Sequence, residues 1–149
     1  MLRECQPLID FEMRIVDWSH CSEALSSLRH AVFVEEQGVP LELELDGEDT
    51  GARHAAAFAD DGEIVGTGRM LESGKIGRMA VCQPLRCQGI GRALLDALVE
   101  EALRMNLPQV SLGAQVSAIP FYEGAGFQTY GDVFLDAGID HKMMKRVLG

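Results

Sequence analysis

The sequence predicts a single α/β domain built on one sheet of mixed strand direction. The chain has 149 residues, the usual size of one domain. Hydrophobic residues make up 47% and charged residues 24%, which is typical of a globular protein rather than a disordered or fibrous one. Strand-like runs alternate with helical patterns along the chain. We therefore expect one domain over residues 1–149, with a core from 13 to 147.

The elements are expected in the order β-α-β-β-β-α-β-α-β-β. Alternation over 13–18 indicates a first strand, and Ser22 can cap a helix that ends near Gly38. The clearest helix covers 89–106, where an apolar stripe consists of Leu94, Leu95, Leu98, Val99, Ala102 and Leu103. The other elements are strands at 54–59, 63–71, 75–81, 110–114, 127–135 and 141–147, and a short helix at 118–124.

Charge and composition exclude several classes of partner. The formal net charge of −10 disfavours nucleic acid, because such a chain repels a phosphate backbone. No apolar stretch approaches 18 residues and no signal-peptide pattern is present, so no membrane association is expected. The four cysteines form no C-x-x-C pair and are interpreted as reduced thiols of a cytoplasmic protein. The four histidines lack metal-ligand spacing, and no metal is expected.

A glycine-bearing turn at 86–92, with the sequence Arg-Cys-Gln-Gly-Ile-Gly-Arg, lies between a strand and the long helix. The first N–H groups of a helix are unpaired, and the helix dipole adds positive charge there. Because Gly89 and Gly91 allow close approach, the turn predicts a cradle for a pyrophosphate. A glycine turn without a ligand is the alternative. Basic residues exceed acidic ones between 66 and 92, which favours an anionic ligand.

The spacing Arg86-x-x-Gly89-x-Gly91 resembles the coenzyme A loop of the GNAT family of N-acetyltransferases, Q/R-x-x-G-x-G/A. The preceding segment 79–84, Met-Ala-Val-Cys-Gln-Pro, is similar to the family's L-x-V-x-P with one additional residue. The segment 118–127, Ala-Ile-Pro-Phe-Tyr-Glu-Gly-Ala-Gly-Phe, resembles the family's A-x-x-F/L-Y-x-x-x-G-F. Two further segments, 29–37 and 134–141, resemble the YjcF/ElaA-like branch of this family.

The resemblance implies a GNAT-like fold, with a mostly antiparallel mixed sheet, splayed central strands and flanking helices. It implies acetyl-CoA as co-substrate, bound between the fourth and fifth strands, and an acetyl transfer by direct attack of a primary amine. Tyr122 stands where the family's general acid stands, and a phenol is protonated at neutral pH. The implied coenzyme A-binding residues are Met79, Ala80, Val81, Arg86, Cys87, Gln88, Gly89, Ile90, Gly91, Arg92 and Gln115.

The general base is left open by the resemblance. Many relatives carry a glutamate on the fourth strand, where this chain has Arg78, and many have an asparagine where Gln115 stands. The candidates for the base or the acceptor side are Glu35, Glu36, Asp46, His54 and His141. The acidic segment, residues 35–49, either attracts a cationic amine or is a solvated loop.

Two other functions remain open from the sequence. One is a binding or sensing module that holds an acyl-CoA without turnover, and the other is an acyltransferase for a different acyl-CoA. The expected partner is a small-molecule or peptide amine. A homodimer is left open.

Overall fold

The computed structural model describes residues 11–86 and 88–149. The strands of this part of the chain are β1 (Phe11–Val16), β2 (Arg53–Ala59), β3 (Ile64–Met70), β4 (Lys75–Val81), β5 (Gln109–Gln115), β6 (Gln128–Asp136) and β7 (Ile139–Val147). The α-helices are α1 (Trp18–Arg29), α2 (Leu41–Glu44), α3 (Ile90–Arg104) and α4 (Ile119–Gly124). A π-helical turn, His30–Glu36, continues α1, and 3₁₀ turns at Gln83–Leu85 and Val116–Ala118 follow β4 and β5. Cys5 and Cys87, two of the predicted free thiols, lie outside the described residues.

The seven strands form one sheet in the order β1-β2-β3-β4-β5-β7-β6. All neighbours are antiparallel except β4 and β5, which run parallel. The predicted mixed, mostly antiparallel sheet with flanking helices is therefore confirmed. Within the described residues, no helix is both long enough and apolar enough to cross a membrane.

The first helix begins earlier than the sequence predicts. Asp17 is its N-cap, and the carboxylate of this residue accepts a hydrogen bond from the Ser19 N–H. The predicted cap, Ser22, instead lies inside the helix, so that prediction is wrong. The signal was local, because an aspartate directly after a strand is as good a cap as serine.

The central strands β4 and β5 separate soon after they begin. Their paired residues are Lys75 with Ser111 and Ile76 with Leu112, near the start of each strand. Because the strands are parallel, the gap between them opens toward their carboxyl ends. The predicted splay of the fourth and fifth strands is thus present, and a 3₁₀ turn after each strand precedes the helices α3 and α4.

Helix α3 covers one face of the sheet with the predicted apolar stripe, except for Leu103, which is half exposed. Two glycines of β3 allow this close packing. A Cβ atom at Gly66 would lie 2.8 Å from the side chain of Ile90, and one at Gly68 would lie 2.6 Å from the sulfur of Met79. Both distances are shorter than a non-bonded contact permits. A larger residue at Gly66 would therefore push α3 away from the sheet, and one at Gly68 would displace the Met79 side chain of β4.

Candidate active site

A cleft of about 440 Å³ lies at the gap between β4 and β5. The segment from Gly77 to Met79 forms one wall and Gly113 the other, and both belong to the diverging strands. The acidic segment and the turn between β6 and β7 also line the cleft, through residues such as Leu43, Asp46 and Ile139. The sheet therefore opens a cavity where two of its central strands no longer bond to each other.

The amino end of α3 has the geometry expected of an anion cradle. Gly89 is the N-cap and adopts φ +86°, a left-handed conformation in which any residue with a Cβ is strained. At Gly91 a Cβ would meet only the Phe121 ring, at 3.9 Å, so the space beside the helix start is open. The first helical hydrogen bond runs from the N–H of Ala93 to the carbonyl of Gly89. The N–H groups of residues 90–92 precede it and face no earlier helical turn.

Arg86 lies at the start of this loop and is already engaged. Its Nε donates to the carbonyl of Val81 at 2.9 Å, and its two terminal nitrogens donate to the Glu36 carboxylate at 2.6 and 2.8 Å. These hydrogen bonds hold the pKa of Glu36 below its ordinary value. Arg92, at the other end of the loop, pairs with Asp96 one helical turn later.

Tyr122 lines the cleft from α4, immediately beyond the end of β5. Its ring makes edge contacts with Phe121 and Phe127, at centroid distances of 5.0 and 6.1 Å. Burial raises the pKa of the Tyr122 phenol, because the apolar surroundings disfavour a phenolate. Within the part of the chain that the structure describes, the hydroxyl group has no hydrogen-bond partner. A group in the cleft can therefore receive its proton.

His141 and Gln115 reach the same cleft and are direct partners across the β5–β7 ladder. The Nδ1 atom of His141 lies 2.7 Å from the carbonyl oxygen of Ile139. Since a carbonyl oxygen only accepts, Nδ1 carries the proton in the neutral ring and Nε2 keeps its lone pair. The ring also stacks on Phe134, with centroids 5.8 Å apart. The imidazole is thus fixed in one tautomer with Nε2 as its basic nitrogen.

The other sequence candidates for a base are placed differently. His54 is buried on β2, where its Nε2 lies 2.9 Å from the Asp49 carbonyl and its ring stacks on Trp18, away from the cleft. Burial also lowers the pKa of His54. Glu35 pairs with His30 and Glu36 with Arg86, and neither carboxylate lines the cleft. Of the five candidates, only Asp46 and His141 do.

Asp46 is bound by two arginines. Arg69 donates to both of its oxygens, at 2.9 and 2.8 Å, and Arg78 donates to one of them at 3.2 Å. The Arg69 hydrogen bonds are the main cause of the strongly lowered pKa of Asp46. A carboxylate held in this way is a poor proton acceptor, which leaves His141 as the one of the five sequence candidates that lines the cleft without such a pair.

Buried ion pairs in the acidic segment are the feature that the sequence interpretation missed. Glu44 and Asp49 are buried and both bind Arg29, with nitrogen–oxygen distances of 2.6 and 2.7 Å. Arg69 also binds Asp49, at 3.1 Å. Glu44, Asp46 and Asp49 are therefore paired with arginines and are not available to attract a cationic amine. Arg69 and Arg78 are two of the basic residues between 66 and 92 that favoured an anionic ligand in the sequence. In the structure they instead neutralise these acids.

The chain belongs to the GNAT acetyltransferase family, because the family model for the acetyltransferase (GNAT) domain matches residues 21–148. It is accordingly an acyltransferase, of a family whose members use acyl-CoA. Among its relatives are the uncharacterized N-acetyltransferase YjcF of Bacillus subtilis, 36% identical over 80% of this chain and 87% of the relative, and protein ElaA of Escherichia coli, 37% identical over 83% and 85%.

Solved structures agree with this assignment. The crystal structure of Escherichia coli ElaA matches with a TM-score of 0.82 and 31% identity, covering 92% of this chain and 99% of that one. An acyl-CoA N-acyltransferase from Pseudomonas aeruginosa matches with a TM-score of 0.79 and 30% identity, covering 93% and 99%. The resemblance to the YjcF/ElaA-like branch is thus confirmed over nearly the whole domain.

Proposed function

We propose that the chain transfers the acetyl group of acetyl-CoA to a primary amine that attacks the thioester directly. The observation that carries this proposal is the protonated hydroxyl group of Tyr122 in the cleft between β4 and β5, which forms no hydrogen bond with residues 11–86 or 88–149. A proton donor is needed there because coenzyme A leaves as a thiolate.

The donor substrate fits the opened sheet. Beyond Ile76 the edge of β4 that faces β5 has no strand to pair with, so the pantetheine arm can add to Met79 and Val81 as a strand would. The pyrophosphate then meets the amino end of α3, where Gly89 and Gly91 leave the backbone accessible. Residues from Arg86 to Arg92 hold it, and Gln115 lies at the opposite wall.

The acceptor enters from the side of the acidic segment. Glu48 and Asp136 line this part of the cleft and form no ion pair with any described residue. Two uncompensated carboxylates at the entrance favour an amine that carries further positive charge, such as a diamine or polyamine.

The chemistry is then a balanced exchange. The amine nitrogen forms a bond to the thioester carbonyl carbon, the carbon–sulfur bond breaks, and an amide and a coenzyme A thiolate result. Nε2 of His141 takes a proton from the amine, and Tyr122 gives its proton to the thiolate. Solvent returns a proton from His141 to Tyr122 after the products leave.

The test compares the two tyrosines of the chain. Release of coenzyme A thiol is first followed with polyamines, amino acids, aminosugars and peptides as acceptors. Tyr122→Phe keeps the ring contacts but removes the proton, so single-turnover rates should fall about 10²–10⁴-fold while acetyl-CoA binding is kept. Tyr130→Phe is the matched control, because Tyr130 lies on β6 outside the cleft, and it should react at the wild-type rate.

The same assay separates the two proton-transfer roles. His141→Gln should slow the reaction at neutral pH while acetyl-CoA binding is kept, because it removes the proposed proton acceptor and leaves the cradle untouched. An unchanged rate for Tyr122→Phe on a confirmed acceptor would overturn the role of the phenol. Binding of acetyl-CoA without turnover on any acceptor would identify a binding module instead.

A further inference from the structure

A strained residue lies in the wall of the cleft. On β4, Arg78 and Met79 together oppose Gly68 of β3, because the register shifts between Thr67 and Arg69. This is a β-bulge, and its first residue, Arg78, adopts φ +52°. Glycine is the usual residue in that conformation, and another residue costs about 1 kcal/mol or more there. Such strain persists where the surroundings hold it in place.

The contacts that keep Arg78 in its strained conformation are made by its own side chain. The terminal nitrogen Nη2 of Arg78 donates to the backbone carbonyls of Leu43 and Glu44, at 3.0 and 3.1 Å, and to the Asp46 carboxylate at 3.2 Å. Its Nε lies 3.2 Å from the Glu44 carboxylate. The three hydrogen-bond acceptors and the paired carboxylate all belong to the stretch 43–46, so one guanidinium group ties the bulge of β4 to the acidic segment.

This tie is rigid because the acceptors are themselves anchored. Glu44 is buried against Arg29 of α1, and Asp46 is held by both terminal nitrogens of Arg69 on β3. Arginines of α1, β3 and β4 therefore all bind the same loop. Movement of Arg78 would break hydrogen bonds to a loop that the buried pair of Glu44 with Arg29 holds in place.

The bulge lies where the position of the backbone matters most. β4 and β5 part after Ile76, and the next three residues of β4, from Gly77 to Met79, line the open gap. Under the proposed function, the thioester lies in this gap. Backbone N–H groups fixed in advance are effective donors to the oxygen on which charge develops.

We propose that Arg78 is a positioning residue whose ion pairs with Glu44 and Asp46 hold the bulge of β4 so that its backbone N–H groups meet the thioester carbonyl. This inference rests on the proposed function. It accounts for an arginine at a position where glycine would be free of strain. It also gives the buried acids of the acidic segment a part in the reaction, acting through β4 and not through contact with substrate.

The test measures hydrogen bonding to the thioester carbonyl directly. Acetyl-CoA labelled with ¹³C at the carbonyl carbon is added to the protein without an acceptor, and the carbonyl stretch is followed by infrared difference spectroscopy. In the wild-type protein it should move to lower wavenumber than in free acetyl-CoA, as hydrogen bonding requires. Arg78→Gly permits the same φ without strain but removes the clamp, so at least half of this shift should be lost. Its kcat should fall about 10- to 100-fold, with the Kd for acetyl-CoA changed less than about threefold.

Two further variants make the result decisive. Asp46→Asn keeps the shape of the clamp but weakens its charge, and it should lose part of the shift even if Arg78→Gly does not fold. Arg104→Ala, which removes an exposed arginine of α3, should retain the full shift. A full shift in Arg78→Gly or, if that variant does not fold, in Asp46→Asn would overturn the inference, as would a wild-type complex without a shift that still turns over. A wild-type protein that binds no acetyl-CoA would overturn the proposed function as well.

Discussion

The glycine loop, residues 86–92, leads into α3, whereas the acidic segment, residues 35–49, lines the cleft, and the two regions are held in different ways. The loop depends on backbone conformation within a few residues: Gly89 turns the chain with φ +86° and α3 begins one residue later. The acidic segment depends on side chains far apart in sequence, because its carboxylates bind arginines of α1, β3 and β4. The conformation of the loop can therefore be predicted from nearby residues, whereas that of the acidic segment depends on contacts that form only when the chain folds.

The two regions also differ in how much their ion pairs contribute to the stability of the fold. The ion pair of Arg86 with Glu36 at the edge of the loop is one-third exposed, and exposed pairs add little to stability. The pairs of Arg29 with Glu44 and Asp49 are almost completely buried. Losing one partner of a buried pair leaves an uncompensated charge, which is costly. We therefore expect stability to depend on the acidic segment and ligand affinity to depend on the loop.

The largest expected effect tests that division through Arg29. Arg29→Met keeps most of the apolar stem but leaves Glu44 and Asp49 short of a partner, so the free energy of unfolding should fall by about 3–5 kcal/mol. Thermal unfolding should show this as a Tm lower by roughly 10 °C. At a temperature where the variant is folded, its affinity for coenzyme A should match that of the wild type.

Arg104→Met is the control for this substitution. Arg104 is mostly exposed and pairs with Glu100 on the same helix, so its loss should cost less than about 1 kcal/mol. Equal Tm values for Arg29→Met and Arg104→Met would show that the buried network does not stabilise the acidic segment.

The same contrast explains what the sequence could predict. The order of the strands and the long helix were accessible because they follow from periodicity and from glycines and prolines, whereas the splay of the central strands was implied by the family resemblance. The loop with Gly89 and Gly91 belongs to the first group. The place of Tyr122 beside the splay followed from a family resemblance and could not have come from spacing alone.

The ion-pair network could not be predicted in the same way, because each pair joins residues 15 to 34 positions apart. One local signal was present. Arg29 follows Leu25 by four residues and precedes Val32 by three, so it occupies an inward position of an amphipathic helix. A charge at such a position requires a buried partner, although the sequence does not say which acid supplies it. His54, offered as a base from its residue type, was buried by the same packing.

The second prediction concerns the glycine loop. Gly91→Val should keep the fold, since a Cβ there meets only the Phe121 ring at 3.9 Å, whereas a substitution at Gly89 would be strained. The added methyl groups should exclude a pyrophosphate from the amino end of α3 and weaken acetyl-CoA binding about 100-fold. Calorimetric titration measures this. Gly51→Val is the matched control, because a Cβ at Gly51 meets nothing within 4 Å and the residue lies outside the cleft, so it should bind normally. Undiminished affinity of the Gly91 variant would contradict the pyrophosphate site.

The smallest expected effect lies at the contact between the two regions, where Glu36 of the acidic segment binds Arg86 of the loop. A carboxylate beside an anion-binding loop repels the phosphates and occupies an arginine that they can use. Glu36→Gln should therefore bind acetyl-CoA about two- to threefold more tightly at low salt, and the gain should shrink at about 0.5 M salt because screening weakens the repulsion. Glu35→Gln changes the neighbouring charge without touching Arg86, so it should give less than half of the gain. Weaker binding by Glu36→Gln would instead mean that the pair holds Arg86 ready for the ligand, in which case the two regions cooperate in binding and do not act separately.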